Sequence, residues 1–274
     1  MYYYEFTYCE TKYISSLSTK KMSNVNQGSA VCSISVIIPV LQEDSSWQEL
    51  LADLRAFPET AEFLFISNGL APPEFQDRLN SYGLNSRSHW HCTDRGRAIQ
   101  MNYGANYAQS DHLLFLHADS RLSDSAVQQL LKTLDSCPEA FLYFNLKFQD
   151  QSFLLMRLNS WGVYFRSHVL GVPFGDQGFC LPRTLFCELK GFNEEAAYGE
   201  DHLLVWAARR QGIRLKCTDA EIETSARKYR EQGWLKVTVK HLWLTVRQAV
   251  PQLLLLIKDR TWKCCQSKAP SQSS

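Results

Sequence analysis

"LLFLHADSRL", residues 113–122, begins as an uncharged apolar run and stops on His117-Ala118-Asp119. With His112 in front of it, the run predicts a strand over 112–117. It is short, and apolar without alternation, as in a strand covered on both faces of a sheet. A core strand that ends on an imidazole and a carboxylate puts polar chemistry at its carboxyl end. In parallel α/β sheets that is the edge where ligands bind.

Segments before this strand repeat its logic. "CSISVIIPV" (32–40) is β-branched, apolar and ended by Pro39, and predicts a first buried strand. A helix follows: Ser46 and Glu49 fit a capping box, and Trp47, Leu50, Leu51 and Leu54 make one apolar stripe. Pro58 ends it. "AEFLFIS" (61–67) predicts a second strand, stopped by Asn68-Gly69. A weaker helix falls near 72–82, and "SHWHCT" (88–93) reads as a short strand. "GRAIQMNYGANYAQS" (96–110) reads as a helix through Ala98, Met101, Ala105 and Ala108. After the 112–117 strand, Ser123 caps a helix with Val127, Leu130, Leu131 and Leu134 on one side.

This β-α-β-α-β-α-β-α order implies a mostly parallel sheet with helices on both faces. Beyond residue 139 the rhythm changes. "AFLYFNLKF" (140–148) predicts a longer, antiparallel strand, "SFLLMRLNSWGVYFRSHVL" a helix or loop, and "FGDQGFCLP" (174–182) a glycine-flanked turn at Asp176-Gln177. A helix is expected from about Glu200 to Gly212, then a strand at "IRLKCT". The organisation expected is a polar extension over 1–31, one α/β domain over 32–226, and a basic, amphipathic helical tail over 227–274.

Composition narrows the partners. The 274 residues are 45% hydrophobic and 21% charged, as in an ordinary globular protein. Lys plus Arg number 29 against 28 Asp plus Glu, a net charge of +1, so no basic field for nucleic acid exists. An anionic ligand must be met by a local site. The nine cysteines form no C-x-x-C pair, which argues against a zinc site or a disulfide framework and for a reducing compartment, the cytoplasm. Residues 1–21 lack the apolar core of a secretory signal. The most apolar tail window, "WLTVRQAVPQLLLLI" (243–257), is short for a membrane span and contains Arg247, Gln248 and Pro251.

Five stretches in order resemble family 2 glycosyltransferases of the GT-A fold, and most of all the bacterial subgroup called selenodomain-associated transferase 2. They are "SVIIPVLQE" (35–43), "DRGRAIQMNYGA" (94–105), "LLFLHADSRL" (113–122), "GDQGFCLPRTLFCELKGF" (175–192) and "YGEDHLLVWAARRQG" (198–212).

The resemblance implies a nucleotide-diphosphate sugar donor, an acceptor hydroxyl and a divalent cation, Mg or Mn. A cation held by carboxylate neutralises the charge of a departing diphosphate. It assigns Asp119 to that metal, with His117 where the commoner pattern has a first acid. Pro39, Val40, Glu43, Asn68 and Asp94 are assigned to the nucleoside. Arg97, at a helix start whose N–H groups suit phosphate, is assigned to the diphosphate, as are Arg227 and Arg230 of the tail. Asp176 and Gln177 face sugar hydroxyls. Asp201, with Glu200 beside it, is the base that takes the acceptor proton. The second strand ends in Ser67-Asn68, where many relatives have Asp. The tail, with Trp234, Trp243 and several Lys, suits contact with the inner face of a membrane. Two other readings are a non-catalytic binding protein, motivated by His117 and Asn68, and a nucleotidyltransferase, whose Gly-rich basic loop is missing from "PVLQEDSSW".

Overall fold

A computed structural model of the chain describes residues 33–149, 154–225 and 234–267. The expected 1–31 extension, Arg227 and Arg230 lie outside them. Eight strands form one sheet: β1 Ile34–Val40, β2 Glu62–Ser67, β3 Ser88–Cys92, β4 His112–Phe115, β5 Ser120–Leu122, β6 Phe141–Phe148, β7 Phe179–Pro182 and β8 Leu215–Thr224. Their order is β3-β2-β1-β4-β7-β6-β8-β5. The helices are α1 Trp47–Leu54, α2 Phe75–Tyr82, α3 Arg97–Tyr107, α4 Asp124–Ser136, α5 Leu154–Tyr164, α6 Arg183–Glu188, α7 Glu200–Gln211 and α8 Trp234–Ser267.

β1 to β4 pair in parallel, as the alternating order demands. β7 is antiparallel to β4 and β6, β6 runs parallel to β8, and β5 is antiparallel to β8. The antiparallel expectation for 140–148 therefore holds against β7 only. Two apolar cores fill the two faces. Val36 and Ile38 pack with α1, α2 and α4 on one. Ile37 and Leu64 pack with α3, α6 and α7 on the other.

One expected device differs. Ser46 does not cap α1 through its side chain. Its hydroxyl donates to Asp44 Oδ1 at 2.6 Å, and its N–H donates to the same oxygen at 2.9 Å. An acid two residues earlier outcompetes the Ser-x-x-Glu box because it offers a charged acceptor. The cap on α4 forms as expected, with Ser123 Oγ accepting from Ala126 N.

Pro39 has a topological effect. Ile37 O accepts from Leu116 N at 3.0 Å, and by the strand's period of two the nitrogen of Pro39 faces the same way. The register Ile37↔Phe115, continued by two residues, sets Pro39 opposite His117. With no N–H to offer, Pro39 cannot extend the ladder, so β1 and β4 part there. This is the topological switch point of the parallel half, since β2 lies on one side of β1 and β4 on the other.

Candidate active site

The turn after β4 is tight. Ser120 N–H donates to His117 O at 3.1 Å, leaving His117 and Asp119 half-buried on either side of buried Ala118. Arg121 anchors the far end: its guanidinium grips Asp53 of α1 through Nε at 2.8 Å and Nη2 at 3.0 Å, and Leu122 N–H adds a third bond to that carboxylate. A paired, forked contact of this kind fixes orientation as well as position.

Two helices bring their N-termini to the same place. α3 starts at Arg97 after Gly96, with no side-chain cap. α7 starts at Glu200 after Gly199, whose φ of 68° is left-handed. Arg97 Nε pairs with Glu200 Oε1, joining the two helix starts. The arginine is 45% exposed and the glutamate 8%, so the buried carboxylate holds a guanidinium that still reaches solvent.

Asp201 is held by two backbone donors. Gly175 N–H donates to its Oδ2 at 2.5 Å and His202 N–H to its Oδ1 at 2.8 Å. A Cβ on residue 175 would stand 2.9 Å from that Oδ2, so only glycine lets the backbone come this close. Burial disfavours the charged form of Asp201, but Arg97, the two N–H donors and His117 outweigh it, and its pKa lies below the ordinary carboxylate value.

Asp176 has the opposite balance. Its Oδ1 is buried with no hydrogen-bond partner among the described residues. Burial first, then the charges of Asp201 and Asp119, push its pKa up against Arg166 and Arg97. His117 is held neutral down to about pH 4, by burial and by Arg97, against the pull of Asp201. Arg97 moves up: burial opposes this, and Glu200, Asp201 and Asp176 overcome it. Arg97, His117, Asp119, Asp176, Glu200 and Asp201 thus share one electrostatic environment.

Other expected residues stand apart from that centre. Pro39 and Val40 close β1 beside it. Glu43 and Asp94 are exposed. The Oδ1 of half-buried Asn68 accepts from Gln42 N at 3.2 Å, a local loop bond. Gln177 is buried and built into the protein: its Oε1 accepts from Ser167 Oγ, Arg166 Nη2 and Phe174 N, and its Nε2 donates to Phe144 O. These bonds shape the 174–178 turn that carries Asp176 and Gly175, and they correct the expectation that Gln177 faces sugar hydroxyls.

Three amide side chains were missed in the sequence. Gln100 Nε2 donates to both Val40 O and Ile66 O at 2.9 Å, tying the ends of β1 and β2. Asn102 clamps the backbone of Phe192 from both sides. Gln248 of α8 reaches the start of α7. Trp206 Nε1, which can only donate, bonds His202 Nε2 at 2.9 Å, so His202 Nδ1 carries the proton given to Gln248 Oε1 at 2.8 Å. Gln248 Nε2 donates to the carbonyls of Tyr198 and Gly199. The absence of Lys, Asp or Glu from 98–110 was the available signal for Gln100 and Asn102, since a helix without solubilising charge is buried on most sides.

The donor set bears on a cation. Among the described residues no three His, Cys, Asp or Glu are gathered as a protein-only metal cage. Mg²⁺ typically takes one or two carboxylates and completes its shell with phosphate oxygens and water. One carboxylate at Asp119, with the unpartnered oxygen of Asp176 and an excess of acids over Arg97, fits that mode.

A family model described as glycosyl transferase family 2 matches residues 35–189. The comparison with curated proteins gives no match. Among solved structures, the chain is similar to mannosyltransferase PcManGT from Pyrobaculum calidifontis in complex with GDP-Man and Mn²⁺, at TM-score 0.62 and 13% identity, covering 93% of this chain and 76% of that one. It is similar to S. aureus TarS at TM-score 0.54 and 17% identity, covering 72% of this chain and 37% of that one. For TarS 1–349 in complex with UDP-GlcNAc the values are 0.55 and 17%, with 70% and 58% covered. The chain thus spans little more than a third of the TarS chain.

Proposed function

This chain belongs to glycosyl transferase family 2 and has the GT-A fold, and from that premise we propose that it moves a sugar, a hexose, from a nucleotide-diphosphate donor to an acceptor hydroxyl. The observation that carries the reading is that the charges of Arg97, Asp119 and Asp201 all act on the Asp176 carboxyl, close to where β1 and β4 part. A cationic group for diphosphate, a carboxylate for a cation and an ionised base stand together at the ligand-binding edge of the sheet.

The roles follow from the chemistry each group can perform. Pro39, Val40, Glu43, Asn68 and Asp94 line the way to the nucleoside, and donor identity turns on Asn68 standing where many relatives have Asp. Arg97 and the uncapped start of α3 take the diphosphate, with Arg227 and Arg230 joining from the tail. Asp119 holds Mg²⁺ or Mn²⁺, and the neutral imidazole of His117 is available beside it as a ligand or hydrogen-bond partner. The cation would supply charge neutralisation to the leaving diphosphate. Asp176 meets sugar hydroxyls.

Asp201 accepts the acceptor hydroxyl's proton as that oxygen attacks the anomeric carbon and the diphosphate departs, which inverts the configuration. Its low pKa keeps it ionised at neutral pH. Glu200 holds Arg97 in place. The catalytic unit is 32–226. The tail, 227–274, brings the protein to the cytoplasmic face of a membrane, where a membrane-held acceptor would be in reach. The five motif stretches support assignment to the selenodomain-associated transferase 2 subgroup.

The test uses Asp119→Ala and Asp201→Asn with a panel of UDP- and GDP-sugars and Mn²⁺. Each variant is expected to lose transfer by about a thousandfold or more while its circular dichroism is unchanged. Full activity in either one removes the assignment. His117 in place of an acid favours one second reading, a nucleotide-sugar-binding protein without turnover. Calorimetric donor binding with no product from any donor in the panel would establish it.

A further inference from the structure

Apart from Leu41, Leu70 and Tyr107, every large apolar side chain that stands exposed among the described residues lies on α5, on its continuation through Val169 and Leu170, or on α8. On α8 these residues form a line. Leu235, Val239, Trp243, Val246, Val250 and Ile257 follow one another at steps of three, four or seven, which at 3.6 residues per turn keeps them on a single stripe. Leu235 is 67% exposed and Trp243 56%. The opposite side is committed to the protein: Leu256 is buried, Ala249 packs against the core and Gln248 is bonded to α7. The helix cannot roll to hide its stripe.

A second line runs beside the first. Lys236, Arg247 and Lys258 are exposed and recur every eleven residues, about three turns, along one edge of the apolar stripe. The Arg247 guanidinium lies 5.1 Å over the Trp243 ring, so the two lines touch. Over 234–267 there are six Lys or Arg and one Asp. Near the start of α8, Thr238 Oγ1 meets Asn159 Oδ1 of α5 at 3.5 Å, close to exposed Trp161, Tyr164 and Phe165. No helix among the described residues is long and apolar enough to cross a membrane.

We propose that this face lies on the surface of a bilayer with anionic headgroups: the stripe of α8 and the aromatic residues of α5 enter the headgroup boundary, and Lys236, Arg247 and Lys258 pair with phosphates. This rests on the membrane contact of the tail proposed above, and names its chemistry; it does not depend on the transfer reaction. An apolar face with a basic edge and aromatic residues at the rim is the pattern of interfacial helices. A second copy of the chain suits the face poorly. A two-fold contact sets the same patch against itself, and here that crowds like charges.

Flotation of the full chain with vesicles tests this. Binding is expected to an equal mixture of phosphatidylcholine and phosphatidylglycerol, and not to phosphatidylcholine alone. Raising salt from about 0.01 M to about 1 M, which shortens screening from roughly 30 Å to 3 Å, should release it. Replacing Lys236, Arg247 and Lys258 together with Gln should lower partitioning about a hundredfold, roughly fivefold for each basic residue lost. Val239→Asp with Val246→Asp should abolish it, with donor hydrolysis and circular dichroism unchanged. Failure to float with the mixture, or equal binding to both vesicles, overturns the proposal. So does a solution dimer that Val246→Asp dissociates. Full transfer in Asp201→Asn with flotation intact counts against the enzymatic reading alone.

Discussion

His202 and Gln248 are bonded Nδ1 to Oε1 at 2.8 Å, 46 residues apart in the chain. The same glutamine holds the carbonyls of Tyr198 and Gly199, and the same histidine donates its N–H to Asp201. α8 is therefore joined to the acid we assign as the base. Gln248→Ala should lower kcat about tenfold, which corresponds to ~1.4 kcal/mol, with little change in donor KM. Urea unfolding should show a loss of about 1 kcal/mol. Gln248→Glu keeps the acceptor for His202 but loses the amide donor to the two carbonyls, so it should fall between. Wild-type kcat in Gln248→Ala would show that α8 does not reach the chemistry.

That pair also predicts acid sensitivity. Burial lowers the pKa of His202 despite Gln248 and Asp201, with Arg166 and Arg209 adding to the fall. The unfolded chain therefore takes up the proton first. The stabilisation is complete above the ordinary histidine value, about 6.5, and is lost as pH falls toward the lower folded value. Protonation at Nε2 also removes the acceptor that Trp206 uses. Urea midpoints should drop from neutral pH to about pH 5 in the wild type, and less steeply in His202→Gln. Parallel slopes would mean that His202 is not part of the acid response.

Much of this fold was legible because periodicity and punctuation carry it. The first four strands and the helices between them follow from apolar runs ended by Pro39, Asn68-Gly69 or His117. The switch point follows once Pro39 is seen to lack a donor. The antiparallel half was less legible. β6 is an apolar run whose partners, β7 and β8, are distant in sequence, and nothing local says which way each runs. For the site, Asp119, Arg97, Glu200 and Asp201 are named through the resemblance to family 2 glycosyltransferases, because a strand end or an acidic helix start alone reads equally as a turn or a cap. Gln177 could not be separated from Asp176 by sequence, since what distinguishes them is bonding to distant residues: the Gln177 amide is held by Arg166, Ser167, Phe174 and Phe144, while Asp176 Oδ1 has no hydrogen-bond partner among the described residues. Gln248 lies in a helix whose pattern advertises its apolar face, and its partner is 46 residues away.

Gly175 offers a test of how closely Asp201 must be held. A Cβ there would lie 2.9 Å from Asp201 Oδ2 and 3.0 Å from its Cβ, and that carboxylate is fixed by the N–H groups of Gly175 and His202. Gly175→Ala should displace the carboxylate and weaken the 2.5 Å bond from residue 175 N. Transfer should drop at least tenfold in kcat, as small misplacements of a base do, while thermal stability falls by about 1–3 kcal/mol. A variant that loses stability but keeps kcat would separate the loop's packing from the base's alignment.

Asp176 gives the prediction in which stability and activity part company. Its raised pKa, owed first to burial and then to Asp201 and Asp119, means that ionising it costs folding free energy. Such a group's stability is fully present below the unfolded carboxyl value and is lost as pH rises through the folded one. Without metal, Asp176→Asn should therefore be more stable than wild type at neutral and alkaline pH. A gain of about 1 kcal/mol raises Tm by roughly 2–4 °C in a chain of this size. Near pH 4 the difference should vanish, because the wild-type carboxyl is then protonated too. If Asp176 helps to balance a cation and meets the sugar, the same variant should bind UDP- or GDP-sugar with Mn²⁺ more weakly and turn over more slowly. Scanning calorimetry across pH reads the first effect and donor titration reads the second. A variant less stable than wild type at every pH would mean that the carboxylate is already satisfied by the fold.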